Sequence, residues 1–139
     1  MSIFDGVINS YASGWKGAAV IPDPPVDGAL RWLWNATEWW DVQVYSSRSK
    51  DPEGRAAMKR WMIEHSLVVF GHGHPMSESR DDLIGSDGDY SSYPVKFAHE
   101  KPAAFLTIDD RAVCFDGDWS ELDACAMLDF KPWNQRAPV

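Results

Sequence analysis

Five polar residues stand where apolar runs begin or end. Asp5 follows Ile3-Phe4, Ser46 follows "DVQVY", Lys101 precedes "PAAFLTI", and Asp109-Asp110 closes it. Together these types make one chemistry. Adjacent carboxylates repel unless a cation shares the site, and Mg²⁺, a hard ion that takes oxygen ligands, suits them. A lysine ammonium and a hydroxyl hold phosphoryl oxygens, and Gly6 lets backbone N–H groups come close to them. A carboxylate, a hydroxyl, a lysine and an acidic pair gathered in one place make a Mg²⁺-assisted phosphoryl-transfer site. Taken singly, each residue also has an ordinary reading. Asp109-Asp110 suits a solvated turn, Lys101 a surface, and Ser46 a strand-end cap. Arg48 suits a phosphate contact or an ion pair with a surface carboxylate, and the sequence does not choose.

For these residues to meet, the apolar runs must be strands of one sheet. Residues 2–4 read as the end of a strand, followed by a Gly-rich irregular segment to Asp27. Within it, "IPDPPVDG" excludes a helix interior, because its prolines lack donors and clash with preceding carbonyls. Val26, Leu30, Leu33, Trp34 and Thr37 then follow a helical stripe, predicting a helix over about residues 26–38. "DVQVYSS" alternates and is β-branched, which predicts a strand ending near Ser46. Asp51-Pro52-Glu53 starts a helix whose stripe is Met58, Trp61, Met62 and His65. "SLVVF" fits a short buried strand. Residues 71–100 form a loop-rich polar insertion. "AAFLTI" and "AVCFDG" read as two more strands, and a last helix covers about residues 119–128. Strands alternating with helices imply an α/β fold, a doubly wound, mostly parallel Rossmann-like sheet with helices on both faces, as a single domain over 1–139. In such folds the chemistry gathers beyond the carboxyl ends of the strands, where the five residues fall.

"FDGV", "VYSSR" and "KPAAFLTIDD" resemble, in order, motifs I to IV of the haloacid dehalogenase (HAD) superfamily. "SGWKG", "IPDPPV", "IDDRA" and "FKPWN" also resemble small phage-type HAD-like proteins. The resemblance implies a Mg²⁺-dependent phosphomonoesterase with little or no cap, the 71–100 insertion standing at the cap position. It assigns Asp5 as general acid/base, with its main-chain carbonyl on Mg²⁺, Ser46 as the motif II hydroxyl, Lys101 as the motif III lysine, and Asp109 and Asp110 as the metal-binding pair. The nucleophilic Asp of motif I falls on Ile3, which has no lone pair with which to attack phosphorus or bind metal. An impaired or inactive enzyme is therefore expected. The alternative is a non-catalytic HAD-like binding protein for a phosphorylated ligand or a protein partner. The first strand is also short for the middle of such a sheet. This calls for a segment or subunit that completes it, or for a natural start further upstream.

Composition narrows the partners. The 139 residues carry a net charge of −8, which opposes broad attraction to nucleic acid or an anionic membrane. No apolar run approaches the roughly 18 residues that span a bilayer. Nor does the start have the basic and apolar regions of a secretory signal, so a cytoplasmic location is expected. The expected ligand is a phosphorylated small molecule or macromolecule. Cys114 and Cys125 lie in apolar segments and are expected to be reduced and buried. His72 and His74 in "GHGHP" are expected to be exposed loop histidines rather than metal ligands. Trp32, Trp34, Trp39 and Trp40 are too many for one helix stripe to bury. A buried pair plus an interface patch, with homodimerisation, accounts for them.

Overall fold

The computed structural model describes residues 4–78 and 93–136. The chain divides into two compact units, Met1–Ile108 and Asp109–Val139. Among the described residues, the first unit has two α-helices, α1 (Ala29–Ala36) and α2 (Pro52–Phe70), and two strands, β1 (Gln43–Val44) and β2 (Lys96–Phe97). The strands pair in parallel, Gln43 beside Lys96 and Val44 beside Phe97. Parallel pairing requires a crossover, and α2 lies on the connection, so the unit is α/β around a β–α–β element. No helix among the described residues is long and apolar enough to cross a membrane.

Local chemistry explains the helices. α1 starts after Gly28, whose φ of 81° is left-handed, and it turns Leu30, Leu33 and Ala36 inward. At its end Thr37 Oγ1 donates to the Trp34 carbonyl at 2.6 Å. α2 has Asp51 as its cap, the carboxylate accepting from Glu53 N at 2.9 Å, with Pro52 in the first turn, where a missing N–H costs nothing. The helix runs on to Gly71, past the residues expected as the strand "SLVVF". The reason is the lack of a breaker between His65 and Gly71. Two adjacent valines cost only a few tenths of a kcal/mol each in helix propensity, and continuing the ladder satisfies every backbone group.

The core of this unit gathers Phe4, Ile8, Leu30, Leu33, Val44, Met58, Trp61, Met62 and Met76 with Tyr93, Val95 and Phe97. Phe4 meets Trp61 edge-on, ring centroids 4.9 Å apart. The last three alternate strictly with exposed or half-buried neighbours, the period of a strand. They lie inside the stretch expected as an insertion, so its end is part of the core. The Tyr93 hydroxyl donates to the Met76 carbonyl at 2.8 Å, and burial pushes its proton affinity far above that of an ordinary phenol. Residues 79–92 of that stretch lie outside the described residues.

Other expectations are corrected. Phe4, expected at a strand end, sits in a tight turn, its carbonyl accepting from Ile8 and Asn9 at 3.0 Å each. Residues 2 and 3 lie outside the described residues. "AAFLTI" is an exposed irregular segment. It follows Pro102, and Phe105, though 87% exposed, stacks on Trp40 with ring centroids 5.8 Å apart. Of the four clustered tryptophans, Trp34 alone packs against the core, while Trp32, Trp39 and Trp40 are exposed. No buried pair forms. His72 is exposed as expected, but His74 is half-buried, stacked on Phe70 at 4.0 Å.

In the second unit the expected strand "AVCFDG" is irregular and exposed, and the expected helix is replaced by 3₁₀ turns at Trp119–Glu121 and Ala126–Asp129. Aspartates account for this. Asp116 accepts from Asp118 N, Asp118 from Ser120 N and Oγ, and Asp123 from Cys125 N. Each carboxylate binds backbone two residues on, which competes with helix formation. Cys114 and Cys125 are free, as expected, but exposed rather than buried.

Candidate functional site

Ser46 ends the segment after β1 and caps the 3₁₀ turn Ser47–Lys50. Its Oγ accepts from Arg48 N at 3.0 Å, and its own N–H donates to Ser49 Oγ at 3.0 Å. This reciprocal cap turns the Arg48 side chain inward, where it is wholly buried. Gly54 makes room for the turn. A Cβ there would overlap the Arg48 carbonyl, so α2 can lie against this backbone only without a side chain at position 54.

The buried guanidinium binds Asp5. Arg48 Nε lies 3.1 and 3.0 Å from Asp5 Oδ1 and Oδ2, and Nη2 lies 3.1 Å from Oδ1. Asn9 Nδ2 also donates to Oδ1, at 2.9 Å. Neither carboxylate oxygen is left without a donor. On its other side, Arg48 Nη1 donates to the carbonyls of Gly17, Ala18 and Val20 at 2.7, 2.9 and 3.1 Å. The Trp15 ring lies 4.8 Å from the guanidinium carbon, a cation–π distance. Of the two readings left open for Arg48, an ion pair is the one observed, but buried rather than at the surface. Sequence reasoning did not foresee Asp5 as its partner, and the only signal was a place just after a strand-end serine.

A second anchor holds the same N-terminal segment. Asp23 accepts from Ser13 N at 2.9 Å and Ser13 Oγ at 2.6 Å, and these bonds hold its carboxyl below the usual carboxylate range. The Asp23 carbonyl accepts from Trp61 Nε1 at 2.9 Å, tying the segment to α2.

The structure thus brings Asp5 and Ser46 together through Arg48. Lys101 is exposed in the same unit. Asp109 and Asp110 belong to the second unit. There Asp109 Oδ1 accepts from Arg111 N at 2.9 Å, closing a local turn. Burial pushes the Asp110 carboxyl above the usual range, with Arg111 Nε 3.8 Å away. Among the described residues, no three His, Cys, Asp or Glu side chains gather into a metal-ligand group. The Asp5 side chain does not fit a Mg²⁺ ligand, because a guanidinium already neutralises it and occupies both oxygens. Compared with protein-family models, curated proteins and solved structures, the chain matches none of them.

Proposed function

We propose that this chain is a doubly wound, HAD-like binding protein that engages its ligand or partner without phosphoryl transfer. One observation carries this reading. The residue that would move protons, Asp5, has both oxygens committed to Arg48 and Asn9. A carboxylate held this way acts as a structural anion for a buried cation. The Ser46 hydroxyl accepts from Arg48 N in its cap and donates to Met58 Sδ at 3.5 Å. The competing reading, a Mg²⁺-dependent phosphomonoesterase, asks Asp5 to serve a substrate while it is the counter-ion of a buried guanidinium.

Hydrolysis of p-nitrophenyl phosphate with Mg²⁺ separates the two. The chain, its Asp5→Asn variant and its Ile3→Asp variant are all expected at the no-protein baseline. Turnover by the chain or by Ile3→Asp that Asp5→Asn abolishes would overturn the binding-protein reading in favour of the phosphatase.

A further inference from the structure

Away from Arg48, the first unit holds a cavity of about 380 Å³ between the solvent face of α1, the entry to β1 and the segment after Pro102. This is the size of a small-molecule site, of roughly 300–1,000 Å³. Trp32, Trp40, Val42, Phe105 and Ile108 supply its apolar walls, and Asp41 is its one charged lining residue. Trp32 and Trp40 are 54% and 48% exposed, so about half of each ring remains for a ligand to cover. Trp40 and Phe105 lie nearly parallel, 21° apart, and present flat faces. Asp41 has a competing partner, since its Oδ1 lies 3.3 Å from Lys96 Nζ.

We infer that this cavity binds a small planar aromatic cation, its ring against Trp32, Trp40 and Phe105 and its charge toward Asp41. Aromatic faces attract cations through the ring quadrupole. Asp41, held only by an exposed pair with Lys96, is the charge in the lining that a cation can share, and the chain's net charge of −8 favours a cation's approach. The concave shape and modest volume suit one small molecule rather than a protein surface. The inference goes beyond the role given to Asp5 and does not depend on it.

Calorimetric titration of the full chain at about pH 8 tests this with two probes of similar shape, 1-methylquinolinium and the uncharged 4-methylquinoline. The cation is expected to bind about two- to fivefold more tightly, the range of an exposed cation–π contact and ion pair. Asp41→Asn should reduce that preference to the share the rings supply, and Lys96→Gln, which frees the carboxylate, should widen it. Trp40→Ala should weaken both probes, with circular dichroism checking that each variant folds. The inference is overturned by binding of neither probe, by equal binding of both, or by a preference that Asp41→Asn leaves unchanged. A Trp40-dependent dimer in sedimentation that excludes the probes would overturn it too, by showing a second copy in the cavity.

Discussion

Replacing Arg48 with Met removes the guanidinium and keeps an unbranched apolar stem in its place. Arg48 is fully buried and the Asp5 side chain is 13% exposed, so the change strands a nearly buried carboxylate with Asn9 as its remaining donor. Breaking a buried pair from one side costs about 3–5 kcal/mol. The carbonyls of Gly17, Ala18 and Val20 also lose a donor, but these residues are partly exposed and water replaces much of that loss. The expected cost therefore stays at about 3–5 kcal/mol, a large share of the roughly 5–15 kcal/mol that holds a domain folded. Asp5→Asn keeps an acceptor oxygen facing the guanidinium and should cost less, about 1.5–3 kcal/mol for a charged hydrogen bond. With both changes no buried charge remains, so the double variant should cost at least about 1 kcal/mol less than the sum of the singles. Urea unfolding followed by tryptophan fluorescence measures all three. At a slope of about 2 kcal/mol per M, Arg48→Met should lower the midpoint by about 2 M. A loss below about 1 kcal/mol for Arg48→Met, or single costs that simply add, would refute the reasoning and place this pair in water.

Two further outcomes follow from the same region. Gly54→Ala should destabilise by about 1–2 kcal/mol in urea unfolding, because the overlap with the Arg48 carbonyl outweighs the roughly 1 kcal/mol that alanine gains in a helix; a more stable variant would show that the contact yields. His65 is pushed below its ordinary value of 6.5 by burial, beside the Trp61 ring at 4.6 Å. The unfolded chain then binds the proton more readily, so the His65 contribution is complete above about pH 6.5 and falls as pH drops toward the lower folded value. The melting temperature should decline over that window, and His65→Gln should flatten the decline.

The sequence made the helices legible because their signals are local. Leu30 and Leu33 mark one face of α1, and Asp51-Pro52 marks the start of α2. It misled at "SLVVF", where an apolar run of this length fits a buried strand or the last turns of a helix equally well. β2 stayed hidden because Pro94 and a long polar stretch disguise the alternation of Tyr93, Val95 and Phe97. A shared site for Asp5 and Ser46 was expected, and the two bond opposite ends of Arg48. The residue that joins them was not foreseen, since Arg48 finds its partners 28 to 43 positions away, and no local pattern encodes such a contact. Asp109 and Asp110 show the reverse: adjacent carboxylates suggest metal, yet each turn they make is explained by neighbours one or two residues on.

The guanidinium of Arg48 also sets how the molecule comes together. The described part of the N-terminal segment has no helix, and its strand-like pairing is limited to the single bridges Asp5–Asn9 and Asn9–Pro25. Its long-range polar ties end on Arg48 and Trp61, both contributed by the β1–α2 region. That region can assemble from its own caps, whereas the segment can dock only once a planar fork of donors is already in place, and lysine, with no fork, cannot supply one. The segment before α1 is therefore expected to close late and as a unit. Its amide protons should exchange together and ahead of those in α2, with one side chain as the latch.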